Sequence, residues 1–361
     1  MRVVLFADSP RENWPSMDRY ARSLFRALQR VAPEHEFRLM VPPDPPIGLR
    51  GRLFLLWRLC WYPLWARRFT ADVYHILDHS YGHLLWGLDG NLTVVTIHDV
   101  APLFFPGHFL GISHLTWRVA WKGAQRALQW ITDSDFTKRE LLSHTNKNPR
   151  NITPIPLGVD SAFYPLPAEE VNEWRKSLGL GTEKVILHVG HCQPRKNLER
   201  LLTALALLSK RGIGFHFIQV GGVFTPAQRR LLESSGLERH VRQMSRVSEE
   251  DLVGLYNMAN VFVLPSLYEG FGLPVLEAMA CGTPVIAADA ASLPEVVGDA
   301  GLLVDPRSPE DIAEAIAQVL KDPALASDLR ERGLRRAREF TWERTARGTL
   351  EAYHQVLEDR V

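Results

Sequence analysis

Short apolar runs alternate with amphipathic segments along the chain. Met1–Ala7, Val73–Leu77 and Val261–Leu264 are mostly apolar and have the length of buried strands. Ser16–Val31 instead repeats apolar residues every three or four positions, as a helix with one buried face does, and Ser16 is its predicted N-cap. Strands that alternate with helices predict an α/β protein with parallel sheets.

The length of the chain and a proline-containing stretch near its middle predict two domains. A chain of 361 residues exceeds what one ordinary core holds. Asn151–Val159 reads as the last strand of the first half, and Asp160–Leu180, with two prolines, reads as a linker. We therefore expect one domain over residues 1–160 and a second over residues 161–341.

Composition narrows the class of protein. With 46% hydrophobic and 23% charged residues, and no apolar window that spans a bilayer, the chain is typical of a soluble globular protein. The three cysteines (Cys60, Cys192, Cys281) have neither metal-site nor disulfide spacing, which favours a cytoplasmic setting. No nucleic-acid partner is expected.

Charge and tryptophan are concentrated in the first half. Residues 1–160 hold 19 Lys and Arg against 14 Asp and Glu, and eight of the ten tryptophans. The remaining residues hold 23 Lys and Arg against 27 Asp and Glu. Within the first half, Leu53–Trp65 is rich in Trp, Leu and Arg and is flanked by Arg50, Arg52, Arg67 and Arg68. Two interpretations stay open: a core or interdomain helix interrupted by Pro63, or a helix that docks on the inner face of a membrane.

The stretch Val261–Asp289 carries the most specific chemistry. A helix is expected to begin near Pro274 and to end at Cys281-Gly282, since proline suits the first turn and glycine the left-handed cap. The free N–H groups of its first turn, preceded by glycines, suit a phosphate. Glu269 and Glu277 flank this point and can accept hydrogen bonds from sugar hydroxyls. The pattern indicates a nucleotide-sugar site.

The sequence motifs around these two glutamates resemble those of a known family. Pro265-Ser266, Glu269-Gly270-Phe271-Gly272-Leu273-Pro274 and Glu277-Ala278-Met279-Ala280-Cys281-Gly282-Thr283-Pro284-Val285 are similar to the signature of the GT4-type, or group 1, retaining glycosyltransferases. The resemblance implies a GT-B fold, in which two doubly wound Rossmann-like domains face a cleft. It also implies that the donor lies on the second domain, the acceptor on the first, and that a final helix over about 342–361 packs back on the first domain.

The resemblance assigns roles around the donor. It implies that Glu269 contacts the donor sugar, that Glu277 binds the ribose, and that the backbone of Phe271, Gly272 and Leu273 holds the phosphates. The loop Ser9–Pro15 departs from the family, because the paired glycines expected there are missing.

A second turn is expected to meet the diphosphate. Arg195 and Lys196 stand between a predicted strand and helix, where two cations can neutralise a diphosphate. The resemblance implies that Lys196 does so, with Gly190 and His191 beside it, although the family often has arginine where His191 stands. The resemblance also implies that the backbone near Val247 holds the base.

Two further strand ends carry polar residues. His98-Asp99 follows a predicted strand, and the resemblance places His98 near the donor sugar. Asp99 could fix the tautomer of His98 or support the loop. Asp133-Ser134-Asp135 spells the D-x-D of metal-dependent glycosyltransferases, but no metal is expected, because short matches are common by chance. The predicted helix caps are Ser134, Asn197, Thr225 with Gln228, Ser248, Ser292 with Glu295, and Ser308.

These observations predict a retaining, metal-independent hexosyltransferase without a cofactor. It would move mannose or a similar hexose from a GDP- or UDP-linked sugar to a glycan, glycolipid or small-molecule acceptor. One alternative is an NAD(P)-dependent dehydrogenase, suggested by Gly270-x-Gly272 and Asp289, although Val275 replaces the third glycine. Another is a catalytically inactive sugar-binding protein docked on a membrane through Leu53–Trp65.

Overall fold

The computed structural model describes residues 1–12, 14–45, 49, 51–101 and 112–359, without the side chains of residues 52 and 112–114. Asn13 of the first loop and Arg50 beside the Leu53–Trp65 segment lie outside the described residues. The chain divides into two compact units. Unit 1 comprises Met1–Gly158 and Thr341–Val361, and unit 2 comprises Val159–Phe340.

Unit 1 is built on a six-stranded parallel sheet in the order β2-β1-β3-β4-β5-β6. Its strands are β1 Arg2–Phe6, β2 Glu36–Met40, β3 Val73–Ile76, β4 Thr93–Ile97, β5 Gln129–Thr132 and β6 Ile152–Pro154. Its described α-helices are α1 Pro15–Val31, α2 Arg52–Ala66, α3 Ile112–Ala124, α4 Asp135–His144 and, from the C-terminal segment, α13 Trp342–Glu358.

The C-terminal helix α13 packs against α1 and is tied into the sheet of unit 1. Its Tyr353 hydroxyl lies 2.7 Å from Nδ1 of His75 on β3, and Nε2 of His75 lies 2.8 Å from the hydroxyl of Thr96 on β4. Tyr20 of α1 closes this chain of buried contacts, 2.9 Å from Thr96. Burial lowers the pKa of His75 to about 3, so the ring is neutral and can serve both neighbours.

Two local predictions in unit 1 are wrong. Ser16 does not cap α1, because the helix begins one residue earlier, at Pro15, and Trp14 takes the cap position without a side-chain hydrogen bond. Proline fits there since the first turn needs no N–H donor. Pro63 does not interrupt α2, which continues to Ala66 although the proline removes one backbone N–H donor.

Unit 2 repeats the architecture with a six-stranded parallel sheet in the order β12-β11-β10-β7-β8-β9. Its strands are β7 Val185–Val189, β8 His216–Val220, β9 Val241–Met244, β10 Val261–Leu264, β11 Val285–Ala288 and β12 Leu302–Val304. Its described α-helices are α5 Ala168–Ser177, α6 Leu198–Lys210, α7 Pro226–Ser235, α8 Glu249–Met258, α9 Leu273–Ala280, α10 Leu293–Val297, α11 Pro309–Lys321 and α12 Pro323–Ala337.

Most of the predicted caps are confirmed. Thr225 and Gln228 form a reciprocal capping box at α7, and the hydroxyls of Ser134, Ser248 and Ser308 accept from the first turns of their helices. α9 ends at Ala280, with Gly282 in the left-handed region at φ 74°. Among the described residues, no helix is both long and apolar enough to cross a bilayer.

Candidate active site

The candidate donor site lies in unit 2, where two loops follow the carboxyl ends of the adjacent strands β7 and β10. The first loop ends in a turn of 3-10 helix, Pro194–Lys196, and the second runs from Pro265 to Gly272, where α9 begins. The amide of Leu267 donates to the carbonyl of Arg195 at 2.7 Å, which joins the two loops. Ligands of open α/β sheets bind at this edge.

Glu269 pairs with both predicted cations. Nζ of Lys196 lies 2.5 Å from Oε1 of Glu269, and Nη1 of Arg195 lies 3.2 Å from Oε2. Burial opposes the charge of Glu269, but the two cations outweigh it and hold the pKa of that carboxyl below its usual value. The sequence identified these residues separately, but nothing in it showed that the carboxylate and the cations form one cluster.

His188 on β7 lies beneath this cluster and is neutral. Its ring is fully buried, and burial, aided by the charge of Lys196, lowers its pKa to about 3. Gly190 follows in the same strand end, and a Cβ there would come within 3.3 Å of the His188 ring and 3.4 Å of the Lys196 side chain. The absence of a side chain at Gly190 therefore gives the long stem of Lys196 its space.

Two predicted caps instead hold the donor loops, so those predictions are wrong. The Ser292 hydroxyl donates to the carbonyls of Glu269 (3.0 Å) and Phe271 (2.9 Å) and does not cap α10. The Asn197 amide donates to the carbonyls of Pro265 and Pro306 and does not cap α6. Both side chains are buried beside loop carbonyls to which they donate, and Oδ1 of Asn197 accepts from the Arg200 side chain rather than from the first turn of α6.

Glu277 lies inside α9 and is buried at 4% exposure. Its Oε2 accepts a hydrogen bond of 2.8 Å from the Tyr256 hydroxyl of α8. Tyr256 was missed by the sequence analysis, because a tyrosine in an apolar helix face is indistinguishable from a core residue. The contact fixes the orientation of the carboxylate.

Of the remaining predicted donor residues, Phe271, Gly272, Leu273 and His191 lie on or beside the same two loops, whereas Val247 lies on a third loop. Phe271 and Gly272 are buried, and Gly272 has φ 110°, which only glycine adopts without strain. Leu273 is the first residue of α9. His191 is exposed after β7, and Val247 is half-buried between β9 and α8.

In unit 1, His98 follows β4 and pairs with Asp133 rather than with Asp99. Nδ1 of His98 lies 2.7 Å from Oδ2 of Asp133, and its Nε2 donates to the carbonyl of Leu77 at 2.8 Å. Asp99 does not fix the tautomer of His98; its carboxylate accepts from the amide of Ala101 at 3.1 Å and so supports the loop, the second of the two roles predicted for it. Asp133 follows the neighbouring strand β5, so its position is set by the sheet and not by sequence proximity.

The His98–Asp133 pair holds a proton tightly. Burial opposes the imidazolium, but the carboxylate of Asp133 outweighs it and raises the pKa of His98 to about 10. Burial also raises the pKa of Asp133, so one proton is shared between the two groups over a wide pH range. Within the residues that the structure describes, no group of three His, Cys, Asp or Glu side chains is placed to hold a metal.

The α2 helix has a buried and an exposed side. Tyr62 and Trp65 pack inward, whereas Leu53, Leu56 and Leu64 are 62%, 49% and 51% exposed. Arg58 turns inward, donates to Glu12 and to the carbonyl of Ser80, and stacks 4.0 Å from the Tyr81 ring. The helix is therefore neither fully internal nor exposed on every side: one side packs inside unit 1, and the other exposes apolar side chains.

Comparison with known proteins shows the family of the chain. The family model described as glycosyl transferases group 1 matches residues 170–336, and that described as glycosyltransferase family 4 matches residues 9–163. The chain is 34% identical to O-antigen chain mannosyltransferase B of Escherichia coli over 80% of this chain and 76% of that protein. It is 34% identical to a D-inositol 3-phosphate glycosyltransferase of Kineococcus radiotolerans over 64% of this chain and 58% of that protein.

Solved structures show the same fold at lower identity. The TM-score is 0.79 to a sucrose-phosphate synthase from Thermosynechococcus elongatus, at 24% identity, with 99% of this chain and all of that chain covered. It is 0.75 to the lipopolysaccharide glycosyltransferase WaaG, at 16% identity, with 97% and 99% covered. Two parallel six-stranded sheets and these neighbours establish the GT-B fold. The chain belongs to the group 1 glycosyltransferases of family 4, and it is a glycosyltransferase.

Proposed function

We propose that the protein is a retaining, metal-independent transferase that moves a hexose from a nucleotide diphosphate sugar to a glycan or glycolipid. The cluster of Lys196, Arg195 and Glu269 carries this proposal. It combines two cations with one carboxylate, so a positive charge remains for the departing diphosphate. Glu269 stands four residues before α9, whose first-turn amides add their partial positive charge.

The charge of this cluster supports metal independence. A developing diphosphate needs stabilisation in the transition state, and fixed amide dipoles with two basic side chains supply it without a bridging ion. Glu269, ionised because its pKa is depressed, can accept from a hydroxyl of the donor sugar while it holds Lys196. Glu277, oriented by Tyr256, can accept from the ribose hydroxyls.

The names of two relatives support mannose as the sugar that is transferred. O-antigen chain mannosyltransferase B and the serotype-specific mannosyltransferase WbdA, both of Escherichia coli, carry mannose transfer in their names. The chain spans 34% of the length of WbdA, at 30% identity. A solved structure of HepE, similar in fold at a TM-score of 0.76, contains UDP and glucose. For this reason the transfer assay below also includes a UDP-linked hexose.

The outer faces of α2 and α3 support a peripheral contact with an anionic membrane. α2 packs against α3 and exposes Leu53, Leu56, Trp61 and Leu64, and α3 exposes Leu115. The sequences of the two helices contain no Asp or Glu. Exposed leucine and tryptophan beside basic residues suit a headgroup interface.

The experiment is a transfer assay with GDP-mannose, UDP-glucose and ADP-glucose in the presence of EDTA. Release of nucleoside diphosphate from one donor, with an α-linked product seen by NMR, is the expected result. Thermal shifts with the same three donors check binding separately, because a ligand of the folded state raises the melting temperature. Loss of transfer in EDTA that added Mg²⁺ restores, or a product of inverted configuration, would contradict the proposal.

A further inference from the structure

A row of polar side chains crosses three neighbouring strands of the unit 2 sheet. His188 of β7, Gln219 of β8 and Gln243 of β9 stand opposite one another in the parallel register, so they project from the same face. Each is the next-to-last residue of its strand. Two positions earlier on each strand, the same face packs in the hydrophobic core through Ile186, Phe217 and Val241. We call the three polar residues the cross-strand row.

Gln219 is the central member of this row and is fully buried. Its Nε2 donates to the carbonyl of Gly190 at 2.9 Å and to the carbonyl of Gly221 at 2.8 Å. Its Oε1 accepts from Nε2 of Gln243 at 3.0 Å. Both N–H groups and the oxygen of this amide are therefore used, which offsets the cost of burying a polar side chain on an apolar face.

The two carbonyls that Gln219 binds belong to the turns after β7 and β8, and these turns lie backbone to backbone. A Cβ at Gly221 would come within 3.0 Å of the Gly190 carbonyl oxygen, and one at Gly222 within 3.3 Å of the Cys192 amide nitrogen. Gly221 and Gly222 have φ of 99° and 91°, which glycine adopts without strain. The single amide of Gln219 thus binds one carbonyl from each of two closely packed turns.

Another buried glutamine joins the same two loops further along. Gln228 of α7 is fully buried, and its Nε2 donates to the carbonyl of Cys192 at 3.3 Å. Its Oε1 accepts from the amide of Thr225, in the loop after β8, at 2.9 Å. The loop after β7 is therefore held at Gly190 by Gln219 and at Cys192 by Gln228.

The position of Gly190 bears directly on the cation of the candidate donor site. A Cβ there would come within 3.4 Å of both Cδ and Cε of Lys196, so the Gly190 backbone borders the stem of that side chain. The ammonium at the end of this stem pairs with Glu269. Because a displacement of about 1 Å at an active site can cost about 100-fold in rate, groups that fix such a cation matter to function.

We propose that Gln219 is a positioning residue of the donor site, which holds the turn at Gly190 against the turn at Gly221 and so fixes Lys196 for the diphosphate of the donor. This inference rests on the proposed function, because it assumes that a nucleotide diphosphate binds at Lys196. Gln219 acts through the turns and not on the ligand, since its amide is enclosed and is used by two backbone carbonyls and Gln243.

The test measures binding of GDP and UDP by calorimetry on the full chain, so that it does not depend on transfer. Gln219→Met keeps the length of the side chain and removes its N–H donors, and we expect the Kd to rise about 10-fold. In a Lys196→Gln background the same change should raise the Kd about 2-fold or less, because the cation that it displaces is already gone. Gln129→Met, which replaces a buried glutamine at the amino end of β5 in unit 1, is the matched control and should leave the Kd unchanged.

Hydrogen exchange read by mass spectrometry follows the turns without any ligand. In Gln219→Met, peptides that cover residues 190–193 and 221–224 should exchange faster than in wild type, whereas peptides from β10 and β11 should not. If Gln219→Met does not fold, Gln243→Met removes only the donor to Oε1 of Gln219 and should change exchange in the same direction.

The outcomes separate this inference from the proposed function. An equal rise in Kd in both backgrounds, or unchanged exchange at the two turns, would overturn the positioning role. Normal wild-type binding that Gln219→Met leaves unaltered would do the same. Absence of GDP and UDP binding in wild type would instead contradict the proposed function.

Discussion

Nζ of Lys196 lies 2.5 Å from Oε1 of Glu269, and both side chains are only 8% exposed. The pair joins the turn after β7 to the loop before α9, two segments 73 residues apart in sequence. Each group therefore sets the charge and the position of the other. Replacing either alone changes both the charge offered to the donor and the stability of unit 2.

Separate and joint replacement of this pair distinguishes stability from catalysis. Lys196→Ala leaves Glu269 with Arg195 alone, and Glu269→Gln leaves a buried cation, so each should cost about 3–5 kcal/mol of stability. The double variant removes both charges and should recover most of the melting temperature. Turnover should stay reduced about 100-fold or more in all three variants. In each of them the diphosphate loses a cation, or the donor sugar loses the carboxylate that accepts its hydrogen bond.

Unfolding in urea and steady-state kinetics, each on the same four proteins, check this prediction. Suitable controls are Asp311→Asn at the start of α11 and Arg211→Ala directly after α6, both at exposed positions of unit 2. A double variant that regained turnover would show that the pair is structural only.

Ser292 is expected to act on donor affinity through the loop that it holds. Ser292→Ala leaves the carbonyls of Glu269 and Phe271 without their shared donor, at a cost of about 1–3 kcal/mol. The loop whose amides we propose to bind the donor phosphates then loosens. KM for the donor should rise more than kcat falls, and Ser292→Thr should restore part of the loss. Ser308→Ala, which removes only a helix cap, should leave KM for the donor unchanged.

Tyr256→Phe tests the orientation of Glu277. The variant removes the hydroxyl that donates to Oε2 and changes nothing else in the volume of the side chain. We expect nucleoside diphosphate binding, measured by calorimetry, to weaken about 5- to 10-fold, because one hydrogen bond no longer holds the carboxylate. The loss should be smaller for a 2′,3′-dideoxyribose analogue, which lacks the hydroxyls that Glu277 would bind. An equal loss for both nucleotides would contradict a ribose contact.

The His98–Asp133 pair should make the stability of unit 1 pH-dependent. The pKa of His98 is raised from 6.5 to about 10, so the stability it contributes is fully present below pH 6.5. That contribution is lost as the pH rises through about 10. The difference in free energy of unfolding between wild type and Asp133→Asn should therefore shrink between these two pH values. Urea unfolding at a series of pH values measures it, and a constant difference would show that the ring is not protonated in the folded state.

Membrane docking is tested on α2. Leu53→Glu with Leu64→Glu places two negative charges on its exposed side, and co-sedimentation with phosphatidylglycerol vesicles should fall about 10-fold or more. Val223→Glu, at a similarly exposed position of unit 2, should leave it unchanged. Equal binding of wild type and the double variant would show that this face does not meet the bilayer.

The sequence determined the class of fold and named most of the residues of the candidate donor site. Apolar runs and amphipathic segments alternate regularly, and local chemistry sets helix ends such as Thr225, Ser248 and Gly282 without distant partners. The continuous sequence motif from Glu269 to Gly282 identified the family, because its glycines, proline and glutamates all belong to one loop and one helix.

Only the tertiary structure decided which side chains meet. Asp133 rather than the adjacent Asp99 pairs with His98, because parallel strands bring their carboxyl ends together across long stretches of chain. Ser292 and Asn197 have the sequence context of helix caps, but in the structure their side chains donate to carbonyls of buried loops. The two turns that Gln219 joins also could not be foreseen, since their contact depends on the pairing of neighbouring strands. Local hydrogen bonds can be read from neighbouring residues, whereas contacts at a sheet edge exist only after the strands have assembled.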